Sequence, residues 1–427
     1  MVILGICLVL VMLLMPVLVS CSQEVTTSST KAATTTQAAA ATTKAIATTT
    51  QAAATTTQPA QTLKIGGLVS LTGFASASES LIRDGLLLFQ QWYNEQNRLT
   101  INGTKYNIEF VFEDVQSTAE GATAAATKLV NDTGVKFIVG GVVPFMTLAA
   151  GTVTEPAKVL RVILYTTHSE EYGPQTPYTF ISNDATTDFA GPDSDYLVAN
   201  FPNVKKIAVL TPDDGGPPIF MPMVQKTIES RGLSLAGDYV LWPLDATDFT
   251  SYVNKALAQK PDAIFFINGW PIHMGPMLKI AREAGFTGPI FGCHEDPYDI
   301  AAIAGTQASN NFYVHNIQVD SPQMTDIIKN IMSLSQAAYN KQSPTYVWGW
   351  NSAYCLMQAI EKAGSLDTTA VKTAWEGLDK IDTVYGPGVM GGLVSYGIKH
   401  NVSYATPFCQ LVDGQVKFIG FEPVSLP

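Results

Sequence analysis

Charge is scarce in this chain of 427 residues: Asp, Glu, Lys and Arg together make up 14% of it. Basic residues are the scarcer sign, 25 against 36 acidic, which leaves a formal net charge of -11. A surface that neutralises phosphates needs clustered Lys and Arg, so nucleic acid is not an expected partner. Cysteine is sparse too, and after Cys21 only Cys293, Cys355 and Cys409 remain. No two of them stand in CxxC spacing, so neither a zinc ribbon nor a disulfide framework is expected. At most one bridge can form, and three buried thiols are the simpler expectation. Nucleotide-binding loops are missing as well: no GxGxxG follows the first apolar strand and no GxxxxGK occurs, and without such glycine-rich turns a backbone does not wrap a pyrophosphate. No cofactor and no metal is expected.

The N-terminus lacks charge altogether before Glu24. The run MVILGICLVLVMLLMPVLVSC has about 18 apolar residues, close to the length of a membrane span. It ends in Leu18, Val19, Ser20 and Cys21, which resembles the lipobox of bacterial lipoproteins, where a small residue precedes the cysteine that is lipidated. Residues 1 to 20 are expected to be a lipoprotein signal peptide and Cys21 the lipidation site. A signal anchor is the alternative, because the Lys or Arg that usually opens a secretory signal is missing. Either way the remainder is placed outside the cytoplasmic membrane. Residues 21 to 62 then collapse to Thr, Ala, Gln and Ser, with TTTQAAA at 34 to 40 and again at 48 to 54. A stretch without apolar periodicity cannot offset its ordering entropy. As a coil of some 40 residues it spans about 35 Å, enough to hold a soluble body off a membrane.

The body alternates strand and helix patterns. LKIGGLVSL (63 to 71) reads as a strand and LIRDGLLLFQQWYNEQN (81 to 97) as an amphipathic helix, with Leu81, Leu86, Phe89 and Tyr93 on one face. YNIEFVFED (106 to 114), an Ala-rich helix near Ala119 to Asn131, VKFIVGG (135 to 141) and RVILYTT (161 to 167) follow. The grammar restarts at KKIAVLTP (205 to 212) and runs through a helix to Arg231, DYVLWPL (238 to 244), a helix around Tyr252 to Gln259 and DAIFFING (262 to 269). It continues through a helix at 277 to 285 and the strand end in GPIFGCHED. Nearly continuous apolar strands between helices predict an α/β fold with parallel sheets covered on both faces. Two Rossmann-like lobes in succession are expected, with functional loops at the carboxyl ends of the strands.

The order of IGGLVSLTG, RDGLLLFQQWYNEQN, FEDVQSTAEGATAAATKLVND, VKFIVGG, KIAVLTPDDG, KPDAIFFING, KIAREAGFTGPIFG and YVWGWNSAYCLMQAIEKAG resembles the periplasmic binding proteins of the Leu/Ile/Val type, the solute receptors of ABC importers. The resemblance spans residues 63 to 427. It implies a type I periplasmic binding fold, with lobe 1 at 63-184 plus 318-400 and lobe 2 at 185-317 plus 401-427. A three-crossing hinge joins them, and a small molecule is clamped between them. It further implies a monomer, tethered to the membrane through its lipid anchor, that hands an amino acid or similar solute to ABC permease transmembrane subunits.

Site residues follow from the same resemblance. Where the family grips a carboxylate with hydroxyl groups and amides, this chain has Pro144, Phe145, Met146 and Thr147. Pro144 has no N–H to give, and Thr147 alone keeps a hydroxyl. After RVILYTT the contacts fall on Thr166, Thr167 and His168. Trp270, next to Pro271 and so expected on an exposed loop, matches the aromatic ring of lobe 2. The ammonium-binding carboxylate of the family falls near His294 and Glu295, in the loop CHEDPYD, where Asp296 or Asp299 is expected to cap the following helix. Asp213 and Asp214 open a turn, and Phe220 replaces a tyrosine of the family. The pocket these residues imply suits a branched-chain amino acid, or an aromatic or short carboxylic acid or amide.

Two other classes of function compete. An enzyme would pair Cys293 with His294, or gather a metal at His168, His273, His294 and Glu295 as in a metal-dependent hydrolase. Neighbours along a loop point different ways, however, and the metal set lacks HExxH spacing. A sensor component that passes its signal to a separate membrane receptor would use the same clamp.

Overall fold

Short runs of Val, Ile, Leu and Phe build two parallel-rich sheets. The computed structural model describes residues 59–165, 170–183 and 189–423, which belong to one compact unit, Thr57–Pro427. The apolar N-terminus with Cys21 and most of the Thr/Ala-rich stretch lie outside the described residues, as do Thr166, Thr167 and His168. Among the described residues no helix is long and apolar enough to cross a membrane.

The first sheet runs, edge to edge, Ile381–Thr383, Gly386–Gly391, Asn401–Ser403, Thr179–Ile181, Leu160–Ile163, Phe137–Gly140, Gln61–Val69, Thr104–Asp114 and Thr100–Ile101. The second runs Gln415–Pro423, Ala405–Val412, Phe312–Val314, Ile290–Gly292, Ala263–Phe266, Lys206–Pro212 and Ser234–Leu235, with Val240–Trp242 paired further along Lys206–Pro212. Central strands pair in parallel and the late strands return antiparallel. Phe137–Gly140, Leu160–Ile163 and Ala263–Phe266 are buried at every position, as parallel strands covered on both faces must be.

Each sheet has a core on either face. In the first lobe the helix Ser76–Glu95 turns Ile82, Leu86, Phe89 and Tyr93 inward and lies against Thr345–Ala363. The two helices touch backbone to backbone: a Cβ on Gly85 would stand 2.1 Å from Tyr346 O. The expected single helix near 119 to 131 is α-helical only over Ala119–Thr127 and continues as a π-helical turn, Lys128–Thr133, which keeps Leu129 in the core. The helix expected from 277 begins at Pro271 instead, because proline is preset for a first helical turn and has no N–H to leave unpaired. The chain passes between sheets three times: after Thr179–Ile181, after Phe312–Val314, and through Tyr404 alone between Asn401–Ser403 and Ala405–Val412. Asn401–Ser403 thus belongs to the first sheet, three residues beyond the boundary expected at 400.

Candidate functional site

Parallel strands deliver their carboxyl-end loops to one edge, and here the loops of both sheets meet. From the first sheet come Ser70 to Phe74, Gly141 to Val143, and Leu164 with Tyr165. From the second come Asp213 to Gly216, Asn268 to Trp270, and Cys293 to Asp296. At Gly140 the first sheet leaves no room for a side chain, since a Cβ would fall 2.1 Å from Leu68 O and the backbone adopts φ +136°. The loop CHED is pinned from behind. His315 N donates to Cys293 O at 2.8 Å, and Asn316 Nδ2 donates to His294 O at 2.7 Å and Glu295 O at 3.0 Å.

The centre of the meeting is aromatic. The rings of Tyr165, from the first lobe, and His294, from the second, stack with centroids 3.7 Å apart and planes 4° from parallel. Trp348 of the helix Thr345–Ala363 sets its ring nearly perpendicular to both, at 5.1 Å from Tyr165 and 5.5 Å from His294. Phe189 sets its ring at a tilt 6.1 Å from His294. Two further contacts tie the lobes. Trp270 meets Phe74 edge to face at 5.3 Å and packs among Leu68, Ala75 and Met146 of the first lobe. Ser343 Oγ donates to Asp296 Oδ2 at 2.7 Å.

Burial sets the charge states of this loop. It holds the His294 imidazole down at about 3, helped by the nearby His315, so the ring is neutral at ordinary pH. Burial also raises Glu295 well above the usual carboxylate range, with Asp296 and Asp299 adding like charge. Asp296 is pushed up to about 6 by burial and Asp299, against the pull of its hydrogen bonds from Ser343, Tyr298 N and Asp299 N. The Cys293 thiol is pushed up to about 12 by burial and by Glu295. A thiol held this far from ionising is a poor nucleophile, which counts against Cys293 and His294 as a catalytic pair.

The residues expected from sequence part company in three dimensions. His294 and Glu295 lie at the meeting of the lobes, both about 4% exposed. Trp270 sits there too, but buried at 6% exposure as the N-cap of Pro271–Glu283, in place of the exposed loop expected from its neighbour Pro271. Phe145 is half-buried at the start of Pro144–Thr154, whereas Met146 and Thr147 turn into the first lobe. There Thr147 Oγ1 and Glu79 Oε1, neither with a hydrogen-bond partner, share a cavity of about 10 Å³ with Arg161. Asp296 is the helix cap, accepting from Tyr298 N and Asp299 N. Asp214 is a turn residue, accepting from Gly216 N at 2.9 Å and from Asn268 Nδ2 at 2.9 Å. Phe220 faces the core of the second lobe, not the cleft. Thr166, Thr167 and His168 fall outside the described residues. His273, whose Nδ1 accepts from Trp270 N at 3.4 Å, does not gather with His294 and Glu295. Among the described residues the only three such groups that do converge are Asp193, His315 and Glu422.

Sequence reading missed Tyr165, Trp348, Phe189, Asn316 and Ser343. Tyr165 ends an apolar run and Trp348 sits in the aromatic run YVWGWN, and both patterns are those of core residues. A finer signal existed for Tyr165, since it is the last apolar residue of RVILYTT, directly before the Thr166 and Thr167 already expected to bind.

Comparison with known proteins agrees with this architecture. The sequence matches the family model described as periplasmic binding protein over residues 62–403. No curated protein matches the chain by sequence. Among solved structures it is similar to a leucine binding protein, LivK, from Thermotoga maritima, at 19% identity and a TM-score of 0.71, covering 84% of this chain and 99% of that one. It is similar to LivJ from Streptococcus pneumoniae in complex with isoleucine, at 20% identity, TM-score 0.69, covering 85% and 99%. A solute binding protein from R. palustris in complex with 4-hydroxybenzoate is alike at 20% identity and TM-score 0.72, covering 86% and 98%. With a family match over most of its length, two parallel-rich lobes and a cleft built from their carboxyl-end loops, the chain belongs to the periplasmic binding protein family.

Proposed function

We propose that this receptor is anchored outside the cytoplasmic membrane through a lipid on Cys21, held at a distance by residues 21 to 62, and that it delivers a small planar organic acid or amide to an ABC permease. The observation that carries the ligand class is the Tyr165 and His294 stack framed by Trp348. Parallel aromatic planes drawn from opposite lobes are in contact here; when the lobes part, the Tyr165 and His294 faces are freed, and a flat ring can stack on each in place of the other. The polar groups beside these faces fit an oxygen acceptor. A neutral imidazole offers an N–H, and a carboxyl group that burial biases toward its protonated form can donate a hydrogen bond, so His294 and Glu295 suit a carboxylate or amide oxygen. The similar R. palustris protein in complex with 4-hydroxybenzoate supports the reading. Lobes 63-184 plus 318-400 and 185-317 plus 401-427, adjusted at Ser403, would close as a monomer around this ring. The same clamp serves a sensing role if the partner is a membrane receptor in place of a permease.

A second reading is a branched-chain amino acid, favoured by Glu295, a buried carboxyl that an incoming ammonium would ionise and pair. A thermal-shift panel separates the two. A ligand at 100 times its Kd adds about 2.7 kcal/mol of stability. Aromatic and short carboxylic acids or amides are expected to give that shift, and leucine, isoleucine and valine are not. Shifts confined to the amino acids would replace the first reading with the second.

A further inference from the structure

We propose that Asp193, His315 and Glu422 form a binding site for a divalent transition-metal cation of the zinc class. The three come from separate parts of the second lobe: the first turn of Ala190–Asn200, the residue after Phe312–Val314, and the strand Gln415–Pro423. Each offers one ligand atom, and the three atoms lie within 4.8 Å of one another. His315 Nε2 is 2.7 Å from Asp193 Oδ1 and 3.9 Å from Glu422 Oε2. Donors on a tetrahedral zinc at bond lengths of about 2.1 Å stand about 3.4 Å apart, so the observed spacings bracket what an ion needs.

The arrangement leaves a need that a cation meets. One imidazole nitrogen faces two carboxylates but hydrogen-bonds only Asp193, while Glu422 Oε2 is closed off from solvent with no hydrogen-bond partner. An orphaned buried carboxylate oxygen is costly. Among the described residues no Lys or Arg forms an ion pair with Asp193 or Glu422. The imidazole is also preoriented: its side chain is fully buried and its ring is held between Phe189 at 4.3 Å and Phe408 at 4.7 Å. A mixed nitrogen and oxygen set selects zinc, nickel or copper over calcium and magnesium, which take oxygen alone.

Calorimetric titration of the purified full chain, stripped with EDTA, tests the site with Zn²⁺ as the probe. One equivalent of saturable binding is expected, unaffected by excess Mg²⁺. H315Q and E422Q should each weaken it at least tenfold. H400Q, which alters another buried histidine beside a carboxylate, Glu376, should leave it intact. Glu422 lies on the edge strand of its sheet, so E422Q carries the test even if H315Q fails to fold. An absence of saturable Zn²⁺ binding, or binding that E422Q leaves unchanged, overturns the proposal.

Discussion

Glu79 shows what one residue can hold against its own chemistry. It is 1% exposed, Ser70 N donates to its Oε2 at 2.5 Å, and its Oε1 has no partner. Burial, opposed by the Ser70 hydrogen bonds, pushes the carboxyl up to about 7 from 4.5. In the folded state it therefore keeps its proton through a pH range where the unfolded chain has released it. Its contribution is least unfavourable below pH 4.5, and stability is lost as pH rises from there through 7. Glu79→Gln removes the titration. Relative to wild type, the variant should gain about 3 kcal/mol in urea unfolding between pH 4.5 and pH 8; a constant difference across that range would show that the carboxyl is not held protonated. Nothing in SLTGFASASES marks Glu79 as buried, because periodicity assigns a helix face but not which carboxylate on it loses water. The same blindness hid Tyr165, whereas His294 and Glu295 were legible because loop position and residue type coincided.

At the scale of elements, Pro297–Ala304 illustrates how much a single cap decides. Asp296 sits before a proline at the first helical position and accepts from two backbone N–H groups, while its second oxygen takes the Ser343 hydroxyl across the cleft. Asp296→Ala loses the cap and leaves that hydroxyl unpaired, a cost of about 1–3 kcal/mol. Asp296→Asn keeps a capping oxygen and carries no charge to desolvate, so it should cost less than about 1 kcal/mol. Urea unfolding with an unchanged m-value checks both, and equal losses for Ala and Asn would assign the stability to the charge and not to the cap. This helix start was readable from DPYD, as were the fully apolar strands Phe137–Gly140 and Ala263–Phe266. The strands Ile381–Thr383 and Gly386–Gly391 were not. The first is three residues long and the second glycine-rich, and they pair antiparallel, so their buried positions alternate with exposed ones and form no continuous apolar run.

For the whole molecule the question is what holds two lobes together across three thin crossings, one of them the single residue Tyr404. The repeat of strand and helix patterns at residue 205 makes the two lobes visible in sequence, but contacts between distant loops leave no periodicity to read. Trp270 is one of them, a second-lobe ring packed in a first-lobe cluster with Phe74, Ala75 and Met146. Separating the lobes would return that ring to water. Trp270→Ala therefore removes contacts that exist only when the lobes meet, a loss of about 1.5–3 kcal/mol, and each 1.4 kcal/mol changes the ratio of closed to open molecules about tenfold. Without added solute, the variant should show a larger radius of gyration than wild type in small-angle scattering. A solute found by the thermal-shift panel should draw it back toward the wild-type value, because a ligand that touches both lobes binds the closed form better and shifts the population by that difference. If the radius is the same for both proteins in either condition, Trp270 is only a packing residue, and closure rests on the Tyr165 and His294 stack with the Ser343 and Asp296 hydrogen bond.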